Sequence, residues 1–456
     1  MNIIITIVLT AFIVLYTGLY KAKKALLPLS LIGLGVAMGF AINGWNKNIN
    51  NYDMMLMDNY AIAFTVLILT GSFLIFLLSK NYFTNSDYLA EYFTLMLFAL
   101  VGMVMMVSYL NLSMLFVGLE IMSVSLYILA GIRKRDFGSN EASLKYFLMG
   151  AFSTGFLLFG ITLIYGATGS FDIKVIEQYL INNPTSVSTL FYPGIILMLI
   201  GMCFKIGVVP FHFWTPDVYE GSPTMITAFM ATVVKAAGFA ALLKLFGNTF
   251  APLHDFWLPA LLVIVILTLF TANITALFQK NFKRMLGWSS ISHAGYLLFS
   301  LIVLSSSSNN SVLLYATAYI AASLVAFAIL ILVKQNLGSD SFESFNGLAK
   351  KNPLLALTLT IAMLSFAGIP LTAGFIGKYV MFVNVMNEYH TLLVVVAIVN
   401  ALIGFYYYFK VIIAVYFKEG KEVVIPISLA YKAIIVLGVI ITLVIGIYPS
   451  VILNIL

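Results

Sequence analysis

Apolar runs of about the 17 to 25 residues that a bilayer's hydrocarbon core requires alternate with short polar stretches along the chain. They fall at 3–20, 26–44, 57–79, 88–109, 111–132, 142–168, 192–220, 223–246, 256–278, 284–305, 311–334, 354–387, 391–417 and 430–455. The pattern predicts an all-α polytopic membrane protein of about fourteen transmembrane helices, called helix 1 to helix 14 in chain order. A membrane β-barrel would instead show alternating segments of about ten residues. The polar connections are too short for a separate soluble domain, so residues 1–456 are read as a single membrane domain.

Two of the runs are predicted to break inside the membrane. As one continuous helix the run 354–387 would be roughly 50 Å long at about 1.5 Å per residue, against a hydrocarbon core of about 30 Å. It contains "FAGIPLTAGFIGK", with Gly368, Pro370, Gly374 and Gly377. Helix 7 carries Gly201, Gly207 and Pro210 around Lys205. Proline removes an intrahelical hydrogen bond and clashes with the preceding turn. Bare backbone at membrane depth survives only where protein or a wet cavity satisfies it. Two plain proline kinks are the alternative reading.

Composition narrows the class. Hydrophobic residues make up 62% of the chain and charged residues 9%, where a soluble domain carries about 25% charged. The net charge of +7 is not a nucleic-acid signal, because the cations sit mostly in short loops and form no basic patch interleaved with aromatics. One cysteine, Cys203, excludes internal disulfides and cysteine-ligated Fe–S clusters, and four scattered histidines argue against haem or zinc. The first run starts directly after Met1, lacks a basic leader and is followed by "KAKK", so it reads as a retained helix rather than a cleaved signal. With the N-terminus outside, seventeen loop cations fall inside and three (Lys47, Lys174, Lys244) outside, a clear positive-inside bias.

Four cations remain within the apolar runs, namely Lys205, Lys235, Lys378 and Lys410, and among the acids only Glu120 lies deep in a run. Their spacing is regular. Lys205 to Lys378 is 173 residues, Glu120 to His293 is also 173, and Lys235 to Lys410 is 175. Each pair is five helices apart, which places its members on helices of opposite direction. An inverted repeat follows as the expectation, with helices 4–8 (87–246) and helices 9–13 (256–418) as its two units and polar sites near the midplane of each. Helices 1–3 (1–86) and helix 14 (430–455) flank the repeat.

Charged groups in such places face the bundle interior and usually mark ion paths. Glu120 stands nine residues from Asn111 and thirteen from Arg133, which is mid-membrane. It is expected to pair with Lys205 on helix 7. Burial disfavours an ammonium and a nearby carboxylate favours it, so a lysine held between the two effects can exchange a proton when its partner moves. Lys235 lies too deep in helix 8 to snorkel, flanked by Ala236, Ala237 and Gly238, which permit close helix approach. Lys378 follows the second break. His293 can relay protons or serve as a satisfied core histidine. Lys410 is only about 12 Å along its helix from Lys418, so it is read either as a transport group or as a lysine snorkelling to the inner surface. His212, Asp217 and Glu220 near the helix 7–8 turn are read as structural or as a proton entrance. The Met, Phe and Tyr richness reads as lipid-facing and packing surface.

These residues also carry a family likeness. "KIGVVPFHFWTPDVYEGSPT", "ITAFMATVVKAAGFAALLK", "FKRMLGWSSISHAGYLL" and "FAGIPLTAGFIGKY" resemble the antiporter-like membrane subunits of NADH–quinone oxidoreductase, respiratory complex I. The likeness covers nearly the whole chain. "FHFWTPDVYEGSP" is more similar to the N type than to the L and M types, where a "W-L-P-D" phrase is usual. Lys378 fits N or L rather than M, and the lack of a long lateral helix argues against L. The resemblance implies a proton channel of the membrane arm, with Glu120 and Lys205 as a pair, Lys235 as the central lysine, Lys378 at the exit, and His293 and Lys410 as linkers. It places NADH, FMN, Fe–S clusters and quinone in sister subunits. It implies an adjacent M-type subunit and small K-, J- and A-type subunits as partners, with the lipid bilayer, protons and a bacterial inner membrane as the setting. The alternatives are a subunit of a multi-subunit cation/proton antiporter or membrane-bound hydrogenase, an independent solute transporter, and a purely structural arm subunit.

Overall fold

The computed structural model describes residues 1–83, 88–183, 186–305, 307–387, 391–420 and 423–456. Lys421, one of the predicted inner cations, and Glu388 lie outside these residues. Eleven helices among the described residues are long and apolar enough to cross a membrane. The remaining apolar runs fall on shorter helices. Helix 7 is split into 7a (Phe191–Ile206) and 7b (Trp214–Gly221), and helix 12 into 12a (Pro353–Ala367) and 12b (Ala373–Asn387). Helix 10 consists of Phe282–Leu297 followed by the single turn Phe299–Ile302.

Both breaks share one construction. Gly207 and Gly368 take positive φ, 71° and 83°, and end their half-helices in the left-handed conformation that glycine tolerates without strain. The Gly207 amide donates to the Cys203 and Phe204 carbonyls, each at 3.0 Å, and the Gly368 amide to those of Leu364 (3.0 Å) and Ser365 (3.1 Å). Side chains satisfy what the break leaves free. The Trp214 indole donates to the Phe204 carbonyl at 3.0 Å, and the Val209 amide donates to the Thr268 hydroxyl of helix 9 (Ala251–Leu277) at 3.0 Å. This is how irregular backbone survives at depth without lipid contact.

Helix 8 (Thr224–Thr249) is buried except at Gly247 and Asn248 near its end, and helix 11 (Ser308–Leu337) is buried over most of its length. They form the middle of the bundle. Small residues in "ATVVKAAGFAALLK" allow the close approach, and a Cβ added at Gly238 would lie 3.1 Å from Ile206 of helix 7a. Two π-helical turns, Met230–Val234 and Leu245–Thr249, interrupt helix 8. Helices 1, 2, 6, 9, 13 and 14 lie outside this middle and expose large apolar side chains such as Phe12, Ile32, Phe152, Val263, Leu402 and Ile440, as lipid-facing helices do.

Three features are absent from the apolar-run pattern. A short hairpin joins helices 2 and 3, with strands β1 (Ile49–Asn51) and β2 (Met55–Met57) paired antiparallel. A surface helix, Ile173–Asn182, follows helix 6 (Phe137–Thr168); Asp172 caps it, and it buries Ile173, Ile176 and Leu180. Lys244, expected at the outer surface, is buried on helix 8 with no hydrogen-bond partner among the described residues.

Matching landmarks recur in the two halves. Asn111 caps helix 5 (Leu112–Ala130) and forms an isolated β-bridge to Asp172, while Asn281 caps helix 10 and bridges to Ser341. Asn281 lines a cavity together with Arg133 from the far end of helix 5, so the two bridges lie at opposite ends of the bundle. The two caps are offset by 170 residues, their bridge partners by 169 and the two glycine breaks by 161. The 173-residue spacing of the charges is therefore not the register of the backbone. Lys205 stands two residues before its break, and Lys378 ten residues after its own.

Candidate functional site: a line of buried charges

Glu120 is half-buried on helix 5, and its Oε1 accepts from the Thr154 hydroxyl of helix 6 at 2.9 Å. Lys205 occupies the last turn of helix 7a. Its ammonium donates to Ser123 Oγ at 3.0 Å and to the Tyr127 hydroxyl at 3.3 Å, and it lies 5.8 Å from the Tyr127 ring centre. Ser123 and Tyr127 follow Glu120 by three and seven residues, so all three share one face of helix 5. The direct Glu120–Lys205 ion pair expected from the sequence is not formed. The lysine rests on hydroxyls instead.

Ile206, next in the chain, abuts Gly238, one helical turn from Lys235. Lys235 is buried and donates to both the carbonyl (2.7 Å) and the hydroxyl (2.5 Å) of Ser290 on helix 10. The adjacent Ser289 hydroxyl hydrogen-bonds the Tyr408 hydroxyl of helix 13 (Thr391–Phe417) at 2.5 Å. Tyr408 in turn meets His293 Nε2 at 3.2 Å, and His293 Nδ1 meets the Tyr315 hydroxyl of helix 11 at 2.8 Å. Tyr315 packs against Gly377, where a Cβ would lie 2.7 Å from its ring. The next residue is Lys378. Its buried ammonium reaches back across the break to the Phe366 and Ala367 carbonyls, at 2.7 and 3.1 Å. These are unpaired carbonyls at the C-terminus of helix 12a, where the helix dipole favours a cation.

Five of the six expected residues thus lie along one path through helices 5, 7a, 8, 10 and 12b, hydrogen-bonded in separate stretches. Lys410 does not. It is half-buried on helix 13, donates to the Gln279 carbonyl at 3.2 Å in the loop before helix 10, and lies 4.7 Å from the Phe342 ring. This is the position of a snorkelling lysine. Some tyrosines read as packing surface need correction, since Tyr127 accepts from Lys205 and Tyr315 and Tyr408 hydrogen-bond His293. The visible signal was hydroxyls at helical spacing beside the charges, in "LEIMSVSLY" and "GWSSISH".

A polar cavity of about 440 Å³ opens at the bundle end that carries Arg133, Asp217, Glu220, Lys283 and Lys334. Asp217 bridges Lys145 of helix 6 (2.9 Å) and Arg284 of helix 10 (3.0 Å), and Arg284 also pairs with Glu220. Lys283, counted among the inner loop cations, is buried and donates to the Glu220 carbonyl at 2.8 Å and to that of Ser222. Asp340 joins Lys334 and Asn281, each at 2.7 Å. Burial pushes its carboxyl up, but the bonded Lys334 ammonium, with Lys283 and Asn281 beside it, holds it below the usual carboxylate range. His212 is buried beside Trp288, 5.4 Å between ring centres. Its Nδ1, Thr215 Oγ1, Ser222 Oγ and Trp288 Nε1 are buried without hydrogen-bond partners among the described residues. Among those residues no group of three His, Cys, Asp or Glu side chains is placed to hold a metal.

The chain matches the family model described as NADH:quinone oxidoreductase/Mrp antiporter, transmembrane, over residues 109–404. NADH-quinone oxidoreductase subunit N of Cytophaga hutchinsonii is 40% identical, over 100% of this chain and 99% of that one. The subunit N of Flavobacterium psychrophilum is 41% identical over the full length of both. Among solved structures, a chain of respiratory complex I from Thermus thermophilus superposes with a TM-score of 0.85 at 32% identity, covering 99% of this chain and 98% of that one. A chain of the Mrp complex from Dietzia shares the fold, with a TM-score of 0.86 at 18% identity over 100% and 96% of the two chains. The chain belongs to the NADH:quinone oxidoreductase/Mrp antiporter family of membrane subunits, and within it to the subunit N branch of NADH-quinone oxidoreductase.

Proposed function

We propose that this antiporter-like membrane-arm subunit moves protons along the line Glu120, Lys205, Lys235, His293 and Lys378, driven by quinone reduction in sister subunits. As a subunit N, the chain is one part of NADH-quinone oxidoreductase, a proton-translocating oxidoreductase, and no redox centre is evident in it. The observation that carries the relay is the hydrogen-bonded run Ser289, Tyr408, His293 and Tyr315, set between Lys235, which bonds the adjacent Ser290, and Lys378, whose neighbour Gly377 packs against Tyr315. Its links are hydroxyl and imidazole groups, which both donate and accept and so can pass a proton. A line built for packing alone has no need of such links. Each proton carried outward works against about 2.3 kcal/mol per 100 mV, so the lysines must change partners in step with the driving reaction.

The landmark pairs support two inverted units, helices 4–8 and 9–13, within fourteen spans. The cation excess supports an orientation with the N-terminus outside, and in that orientation the charged cavity is the cytoplasmic mouth. The unpartnered His212, Thr215, Ser222 and Trp288 continue inward from that mouth. Lys410 has no step in this scheme. Glu120 lies half-buried beside exposed Val117 and Val124, so this end of the line suits contact with a neighbouring membrane-arm subunit of the small or M type. NADH, FMN, Fe–S clusters and quinone are assigned to the sister subunits.

Lys378→Ala tests the outward end. In native membrane vesicles the variant is expected to assemble and to lose NADH-driven proton uptake by about 10-fold or more, the effect of ~1.4 kcal/mol on a barrier. Wild-type uptake in an assembled Lys378→Ala complex would remove Lys378 from the line.

A further inference from the structure

Lys205 has no carboxylate within ion-pair distance, and its ammonium donates instead to two hydroxyls on helix 5. We infer that helix 5 offers Lys205 two alternative seats, a neutral one made by Ser123 and Tyr127 and an ionic one at Glu120. Ser123 and Tyr127 are then positioning residues for the relay proposed above, on which this inference rests. At about 1.5 Å per residue, Ser123 stands about 4.5 Å and Tyr127 about 10 Å along the helix from Glu120. A long, flexible lysine spans such a shift by changing rotamers.

Several features hold the neutral seat in place. The Tyr127 hydroxyl nests against helix 6 at Gly150, where any Cβ would collide with it. Its ring meets Tyr146 edge-on at 4.7 Å, and Tyr146 stacks on Trp214 at 4.5 Å and 10°. The Trp214 indole holds the carbonyl of Phe204, the residue before Lys205. One aromatic stack therefore fixes both the seat and the backbone that carries the lysine. Glu120 is meanwhile turned to Thr154 on helix 6, so each member of the pair has a separate partner while they are apart. Separation then leaves neither charge bare, which matters because an uncompensated buried charge costs several kcal/mol. The hydroxyl seat lowers the cost of opening the pair and lets the lysine exchange its proton away from the carboxylate.

The test compares two isosteric side chains in the assembled complex. In a Tyr127→Phe background, which keeps the ring, Ser123→Val and Ser123→Thr differ only in the hydroxyl. The Val variant is expected to pump at about a tenth of the wild-type rate, because Lys205 stays with Glu120. The Thr variant is expected to recover to within about twofold of wild type. Equal losses in Val and Thr would show a packing effect and overturn the inference, as would wild-type pumping in the Val variant. Glu120→Gln, measured alongside, separates the two readings. If it stops pumping while the Val variant does not, the seat is wrong and the relay stands; if it also pumps normally, the relay itself fails. Should the Val variant not assemble, Ser123→Ala with Tyr127→Phe poses the same question with a smaller side chain, with loss supporting the seat and wild-type pumping overturning it.

Discussion

Lys235→Met is expected to leave the complex assembled while NADH-driven proton uptake and quinone reduction both fall at least about 10-fold. Methionine has nearly the length and volume of the lysine stem, so helix 8 keeps its packing. What disappears is the one side-chain ammonium bonded to Ser290, at 2.7 Å to the carbonyl and 2.5 Å to the hydroxyl. Lys235 joins the two halves of the line, since helix 7a abuts helix 8 one turn away and Ser290 leads to the His293 network. Quinone reduction falls with pumping because a coupled machine cannot turn over when its protons are blocked. A native gel and paired assays on the same vesicles check this. An assembled Lys235→Met complex that reduces quinone at the normal rate without moving protons would mean that coupling is loose and that the lysine acts after the driving step.

The second large effect is structural. Gly374 opens helix 12b against the end of helix 12a, its amide donating to Ser365 Oγ at 3.1 Å. A Cβ there would run into the Ser365 carbonyl oxygen and lie 2.7 Å from its carbon. That obstacle is backbone, which cannot rotate away. Gly374→Ala should therefore push the half-helices apart at a cost of about 1–3 kcal/mol or more, the range for forced overpacking. The readout is the amount of assembled complex on a native gel, and a marked fall is expected. Gly155→Ala on helix 6, where a Cβ would meet nothing within 4 Å, is the matched control and should assemble normally. Normal assembly of Gly374→Ala would mean that the break relaxes freely.

Most of the helical framework was legible because burial in lipid imposes length and hydrophobicity on every span. The breaks were legible for the same reason, since a run of 34 residues overshoots the membrane and glycine and proline mark where it yields. The hairpin at 49–57 and the surface helix at 173–182 were not, being too short to register between long apolar runs. The charges of the site stood out because charge is rare in such runs, but their partners did not. A serine or threonine in an apolar helix usually turns back on its own carbonyls, as Thr10 does on Thr6 and Ser30 on Leu26. Only their place beside a buried charge sets Ser123 and Ser290, which meet lysines of neighbouring helices, apart from these, and Thr154 does both, bonding its own Gly150 carbonyl as well as Glu120. The burial of Lys283 was not legible for a related reason. Beside Lys280 it reads as a loop cation, yet the fold places it against the carbonyls that end helix 7b.

The central claim is that a proton passes through Lys205. The direct measurement is Lys205→Ala in native membrane vesicles, with NADH-driven quinone reduction and proton uptake recorded together and assembly confirmed on a native gel. The account predicts an assembled complex in which both rates fall about 10-fold or more. Full rates of both in that complex would contradict it and make Lys205, with its hydroxyl seat, a packing feature of helix 7a.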